Sequence, residues 1–506
     1  MSEPQADLLA AFWEYERALM ANDLPALDRL FAPGPETLRG DAAGILVGHD
    51  AISEFRQGRG GAPAREILHV EVREVSDDAA VVIAITAPAT GGRGQQTQLW
   101  RRVDGRWVVA AAHVALPTRF DSTIWRVVGT PLVAGAPAGP LAGETVAVKD
   151  LFAVTGHAVG AGVPQYLAEA APESAHARAV QQLVDAGASI AGIAQTDEFA
   201  YSVAGRNSHY GTPPNPAVVG GIPGGSTSGP AAAVATGQAS IGLGTDTGGS
   251  LRVPASYQAL WGLRTTHGAV SVDGLLPLAP SFDTVGWLTR SALLLRTVAS
   301  VTLDPATQRG VEPRFVAAPA FSALIEPELR PAFHAGLELL PAGSVETVDL
   351  GDLDELFETF RAVQAAEAWA SHGDWVTAHP GALGDDIAAR FAWASTVTPE
   401  REAEARVAWS QARLRLESVL GDRVLVLPAA SSVAPSATAD AATIERTRAA
   451  TLRLTAIAGL TGRPGLSAPL LSVPRPGQLT PAPVGLCFVG PRGTDLALID
   501  LAAGLA

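Results

Sequence analysis

The sequence predicts an α/β protein, a large sheet covered on both faces by helices, preceded by a small α+β domain. Three observations carry this. From residue 143 onward, strand-like apolar runs alternate with stretches of helical periodicity, the pattern of strand–helix crossovers. Before that, two amphipathic helical stretches lead into alternating strands separated by turns. Between them, residues 119–142 are rich in Gly, Pro and Ala with little periodicity, which marks a linker. The expected domains are therefore 1–118 and 143–506, joined by that linker. With 506 residues, 47% of them hydrophobic, the chain can fill one large core and a smaller one.

In the first domain, Leu9, Phe12, Tyr15 and Leu19, then Leu24, Leu27 and Leu30-Phe31, recur at helical spacing over residues 5–32. Strands are expected at 66–75, 79–87 and 96–116, the last folding back on itself at Asp104-Gly105. His113 lies on that last strand as a pocket-lining residue or, more commonly for a lone histidine, a structural one. In the large domain, a strand around Lys149 precedes a helix over about 174–186, a short strand at 188–193 and a Gly-rich centre. A helical region over 353–421 and the strands Val424–Pro428 and Val484–Val489 complete it. The alternation predicts a largely parallel sheet. Trp369, Trp375, Trp393 and Trp409 in the helical region read mostly as core.

Composition narrows the function. A net charge of −15 argues against nucleic acid, whose phosphates require clustered Lys or Arg. No apolar stretch reaches the roughly 18 residues of a bilayer span, so no membrane role is expected. The N-terminus mixes acids among its apolar residues instead of showing a basic start and an apolar run, and the protein is expected in the cytoplasm. Cys487, alone of its kind, sits in an apolar run and reads as a small buried residue.

The basic residues are uneven: of 36, only Lys149 is lysine, leaving 35 arginines. Surface ion pairs accept either residue, but only lysine has an amine that burial can bring near neutrality. Its neighbours Val146-Ala147-Val148 and Leu151-Phe152 are apolar, so this position is a candidate base. Downstream lie two loops, Pro223-Gly224-Gly225-Ser226-Thr227-Ser228-Gly229-Pro230 and Gly244-Thr245-Asp246-Thr247-Gly248-Gly249-Ser250-Leu251-Arg252. The Ala-rich segment after Pro230 suits a helix with proline in its first turn. Neither loop contains the Gly-Lys-Ser/Thr of a P-loop, the three spaced glycines of a dinucleotide site or a Gly-x-Ser-x-Gly elbow. Asp246 and Arg252, flanking Ser250 with opposite charge, read as an ion pair holding the loop.

Together, Val146-Ala147-Val148-Lys149-Asp150, Gly224-Gly225-Ser226 and Gly244 to Ser250 resemble the amidase signature family, from Leu141 to the C-terminus. His209-Tyr210-Gly211-Thr212-Pro213, Gly262-Leu263-Arg264 and the 24-residue spacing of Ser226 and Ser250 agree. Ser281-Phe282-Asp283-Thr284 is similar to shorter amidases such as arylacetamide hydrolases. The resemblance implies a mixed β-sheet core and hydrolysis of a small amide or urea-like substrate, with no metal or cofactor. Ser250 would be the nucleophile, Ser226, after a cis peptide bond, the relay, and Lys149 the base. Backbone N–H groups of Thr247, Gly248, Gly249 and Ser250 would form the oxyanion hole, and Tyr201 would line the acyl pocket. Thr227 and Pro230 depart from the family's usual serine and small residue. Residues 1–118 resemble the cone-shaped AtzH-like domains related to nuclear transport factor 2, which implies a homodimer. Two other functions remain open at this point: an amidotransferase-type subunit supplying ammonia to a partner, and a ligand-binding protein working through its N-terminal domain.

Overall fold

The computed structural model describes all residues except 1–2, 42–43, 60, 63, 89–93, 116–120 and 476–479. The chain separates into two compact units, Met1–Phe120 and Asp121–Ala506. In the first, β1 (Leu38–Asp41), β2 (Gly44–Val47), β3 (Arg65–Ser76), β4 (Ala79–Pro88), β5 (Gly94–Val103) and β6 (Arg106–Ala115) form one sheet. Their order is β2-β1-β6-β5-β4-β3. The helices Glu3–Ala21 and Leu24–Leu30 place Leu8, Phe12, Tyr15, Leu27 and Leu30 against Val82, Ala84, Trp100 and Val109. Asp104 and Gly105 both take positive φ, 50° and 78°, as a two-residue hairpin turn demands. β1, β2 and the helix His49–Arg59 have no counterpart in the sequence reading; four-residue strands are too short for alternation to register. His113 is exposed on β6 and lines no interior of this unit.

The second unit is built on eleven strands. These are β7 (Trp125–Val133), β8 (Thr145–Lys149), β9 (Ser189–Ala194), β10 (Ile241–Asp246), β11 (Trp261–Arg264), β12 (Thr284–Thr289), β13 (Phe315–Ala317), β14 (Val345–Thr347), β15 (Val424–Pro428), β16 (Gly465–Val473) and β17 (Ala482–Val489). Their order is β14-β13-β15-β17-β16-β11-β12-β10-β8-β9-β7. The expectation of a largely parallel sheet is corrected. Parallel ladders join only β9-β8-β10 and β15-β13-β14, while β12, β11, β16 and β17 run antiparallel to their neighbours. These central strands return without a crossover helix between β11 and β12 or between β16 and β17, which lets them pair antiparallel. The result is the mixed sheet that the family resemblance implies.

The linker expected over 119–142 is also corrected; its first two residues lie outside the described ones, as does the boundary at 118. Strand β7 occupies Trp125–Val133 and pairs antiparallel with β9. The glycines that suggested a linker serve close packing, since a Cβ at Gly135 would collide with the Gly187 and Ala188 carbonyls. Over the other part of the unit, the helices Leu353–Ala378, Asp385–Ala394 and Pro399–Leu420 pack together, and the first and last also meet the helix Ala441–Thr461. Cys487 is buried on β17, and burial pushes its thiol up to about 11.

Candidate active site

Strand β8 pairs in parallel with both β9 and β10, so its end lies between two neighbouring strand ends. Every residue from Val146 to Lys149 is buried, and Lys149 has no measurable exposure. The amine meets three hydroxyls: Nζ donates to Ser226 Oγ at 2.8 Å, Thr245 Oγ1 at 2.8 Å and Thr227 Oγ1 at 3.2 Å. Among the described residues, no carboxylate forms an ion pair with it. Burial pulls the amine down to about 7, against the fields of Asp197, Asp283 and Asp246. The cause is desolvation, and the surroundings suit it: a hydroxyl can accept from an ammonium or donate to a neutral amine.

The peptide bond between Gly225 and Ser226 is cis. The Ser226 carbonyl accepts from Thr196 Oγ1 at 2.9 Å, and Gly225 N donates to the Val203 carbonyl at 2.8 Å. The Asp197 carboxylate lies beneath this turn, accepting from Gly205 N at 2.9 Å and Ser228 Oγ at 3.2 Å. A side chain at Gly225 would strike it, with a Cβ only 2.5 Å from Asp197 Oδ2. The helix Ser228–Ala235 then leaves the loop, with Pro230 in its first turn and alanines that pack without bulk.

The second loop follows β10 and ends in the helix Arg252–Tyr257. Asp246 organises it: Oδ1 accepts from Gly249 N at 2.9 Å and Arg252 Nη2 at 2.9 Å, and Oδ2 from Arg252 Nε at 3.0 Å and Leu251 N at 3.2 Å. Arg264 Nη1 adds a second guanidinium at 3.1 Å. Burial alone would raise this carboxyl, but the two arginines hold it far below the usual range. The loop carbonyls are tied back as well, Thr247 O by Arg264 at 3.2 Å and Gly248 O by Thr455 Oγ1 at 2.5 Å. Thr247 Oγ1 donates to Asp283. With the carbonyls turned outward, the N–H groups of Thr247, Gly248 and Ser250 donate to no protein acceptor among the described hydrogen bonds.

Gly249 requires a correction as an oxyanion donor, because its N–H is committed to Asp246. Its role is conformational, at φ 129° with Thr455 and Val253 each 3.1 Å from where a Cβ would sit. Ser250 is 3% exposed and meets the first loop through its carbonyl, which accepts from Thr227 N at 3.3 Å. No hydrogen bond between the Ser226 and Ser250 hydroxyls is present among the described residues. Tyr201 is buried edge-on to Phe391 at 5.2 Å, and its carbonyl accepts from Arg390. Trp375 and Trp409 anchor by their indole N–H to Glu169 and the Leu460 carbonyl, and Trp393 lies under Arg361 and Arg401. Thr245, Arg264 and Asp283 stand in motifs singled out from the sequence but without a role there, and Thr196, Asp197 and Thr455 had no place in it. Thr245 lies on β10, the strand that pairs with β8, which brings its hydroxyl to the lysine.

The site thus consists of a buried lysine bonded to a serine hydroxyl, next to a glycine-rich loop that ends in a second buried serine. The Amidase family profile matches residues 130–332, and the AtzH-like profile residues 2–119. Amidase 1 of Arabidopsis thaliana is 34% identical over 422 residues, covering 76% of this chain and 98% of its own. A solved structure of an inhibitor-bound vestigial protein complex, described as revealing the evolutionary origins of an s-triazine catabolic enzyme, superposes with a TM-score of 0.65. It is 28% identical and covers 73% of this chain and 84% of its own. The chain belongs to the amidase signature family and carries an AtzH-like domain at its N-terminus. It is an amide-hydrolysing enzyme.

The expected cytoplasmic location is overturned. Outer envelope protein 64 of Arabidopsis thaliana chloroplasts is 31% identical over 392 residues, covering 71% of this chain and 66% of its own. A pea translocon protein of the chloroplast outer membrane is 29% identical. Relatives this similar act at an organelle envelope, and the make-up of the N-terminal helix says nothing of such a destination. Among the described residues, no helix is long and apolar enough to cross a membrane.

Proposed function

We propose that this protein hydrolyses the C–N bond of a small amide or urea-like compound through an acyl-enzyme on Ser250. The observation that carries this is the buried Lys149 amine, held near neutrality and bonded to Ser226. Ser250 Oγ attacks the carbonyl carbon while its proton passes to Ser226 Oγ, whose own proton passes to neutral Lys149. The oxyanion that forms is held by the N–H groups of Thr247, Gly248 and Ser250. As the tetrahedral intermediate collapses, the relay runs in reverse and protonates the leaving nitrogen. Water then attacks the ester by the same path and releases the acid.

The test is a panel of amides together with a fluorophosphonate probe. Ser250→Ala abolishes both turnover and labelling, whereas Ser226→Ala and Lys149→Ala abolish turnover. Full turnover by Ser250→Ala sinks the proposal. We also read the N-terminal unit as a dimerising element, on the strength of Leu68, Val75 and Leu99 exposed on β3 and β5. Charge introduced at Leu68 and Leu99 should halve the mass in solution, and an unchanged mass refutes this.

A further inference from the structure

We propose that Glu367 is a positioning residue for the oxyanion loop: its two hydrogen bonds to Ser281 fix the strap 277–283, from which Asp283 holds Thr247. This rests on the reading of Ser250 as the acylated serine and of the Thr247 N–H as an oxyanion donor, and adds what sets that donor's place.

The strap joins the two ends of the site. Just before it, Leu276 N donates to the carbonyl of Leu151, two residues past Lys149, at 2.9 Å. Between its ends the strap closes on itself. Asp283 Oδ2 accepts from Leu278 N at 2.8 Å and Ala279 N at 2.9 Å, and the N–H groups of Phe282 and Asp283 return to the Ala279 carbonyl. This turn grips Thr247 twice. Asp283 Oδ1 accepts from Thr247 Oγ1 at 2.5 Å, and Arg264 joins the Phe282 carbonyl at 2.9 Å to the Thr247 carbonyl at 3.2 Å. The Thr247 N–H itself points opposite to the Asp246 carbonyl across a planar trans peptide. That carbonyl accepts from Thr284 Oγ1, one residue past the strap, at 3.0 Å and from Arg264 Nη1 at 2.5 Å. The direction of the donor is therefore set from the strap's end.

The strap is held in turn by the long helix Leu353–Ala378. Ser281 donates twice to Glu367, N to Oε2 at 2.9 Å and Oγ to Oε1 at 2.5 Å. From the same helix His372 Nε2 donates to the Pro277 carbonyl at 2.7 Å, and Phe360 packs on Phe282 with ring centroids 4.7 Å apart. Phe360 also lies 3.1 Å from where a Cβ of Gly248 would sit, so this helix backs the next donor as well. The Glu367 side chain is 12% exposed, and Arg406 Nη2, on the helix Pro399–Leu420, balances its charge at 2.8 Å. An ion pair between two helices accounts for Arg406, which also meets Glu402 at 2.7 Å. It does not account for both donors of one loop serine converging on the same carboxylate.

Glu367→Ala should lower kcat about 10- to 100-fold while KM stays within about threefold, because a displaced donor is missed only once the oxyanion forms. Glu367→Gln should recover most of this: its carbonyl oxygen takes the Ser281 N–H and its amide donates to Ser281 Oγ, so the hold survives without the charge. Arg406→Met breaks the ion pair, spares both bonds between Glu367 and Ser281, and should keep kcat within about threefold. Ser281→Ala removes one of those bonds and leaves the helices untouched; a loss of about three- to tenfold in kcat is expected, and this variant decides the matter if Glu367→Ala does not fold. A boronic acid matched to the best amide of the panel reads the oxyanion directly. Ser250 Oγ adds to boron as its proton passes to the relay, leaving an anionic oxygen where the oxyanion stands, and the Ki in Glu367→Ala should rise in proportion to the loss of kcat. Unchanged kcat in Glu367→Ala, a boronate Ki that does not move, or an equal loss in Arg406→Met overturns the proposal. Full turnover by Ser250→Ala overturns the hydrolase reading and this inference with it, whereas turnover that needs Ser250 but not Glu367 overturns this inference alone.

Discussion

Lys149 ends β8 and Asp246 ends β10, on adjacent parallel strands, and both are fully buried, yet their surroundings are opposite. The amine is bonded to hydroxyls alone, from Ser226, Thr227 and Thr245. The carboxylate is clamped by two guanidiniums and three backbone amides. Hydroxyls reverse their donor and acceptor roles when a neighbour gains or loses a proton, whereas guanidinium remains charged throughout. One buried charge is therefore free to appear and vanish, and the other is fixed as scaffold.

The strongest challenge to this contrast is Lys149→Arg, which keeps a cation but removes the ability to titrate. It should lower kcat/KM by about 10²- to 10⁴-fold, much as Lys149→Ala does. An arginine variant retaining a tenth of wild-type activity would show that charge and not proton transfer is what the position supplies. Asp246→Asn challenges the other side. It leaves Arg252 and Arg264 buried without their carboxylate and should cost about 3–5 kcal/mol of stability, read from urea midpoints. The folded pKa is depressed, so the pair's stabilisation is complete above the ordinary carboxylate range and is lost as pH falls through the folded value.

Thr245→Asp makes the two sites more alike by placing a carboxylate beside the amine. An anion in contact with Nζ favours the ammonium, so the pH at which kcat/KM falls off should rise by about one unit or more. Activity near pH 7 should then drop about tenfold and recover in alkali, and a pH profile identical to wild type would deny that Lys149 sets the acid limb.

How legible this contrast is from sequence depends on distance along the chain. The lone lysine and the two serine loops stood out because composition and local spacing carry them. Asp246 with Arg252 was readable for the same reason, six residues apart. The contacts of Arg264 and Thr455 were not, because these residues reach the loop from 18 and 207 residues away through the sheet and a long helix. The parallel expectation for the sheet failed likewise, since strand alternation records burial and not the direction of the partner. Gly249 shows the limit within a motif: its N–H was read as an oxyanion donor, while the backbone turns that N–H to Asp246.

The smallest expected effect belongs to Asp197→Asn, which sharpens the account of the amine. Asp197 touches Gly205 N and Ser228 Oγ rather than Lys149, yet it is the foremost of the three carboxylates that oppose burial and hold the amine up at about 7. Burial raises the Asp197 carboxyl itself to about 6, so it and the amine titrate in neighbouring windows. As pH falls below 7, Lys149 gains a proton and is lost as a base; as Asp197 is protonated in turn, its pull on the amine fades, and the two steps broaden the acid limb. Asparagine retains the shape and one acceptor oxygen but no charge. The midpoint of the limb should move down by less than about one pH unit, and its form should approach that of a single proton. A midpoint that moves up would mean that the carboxylate governs the serine loop's geometry and not the amine's charge.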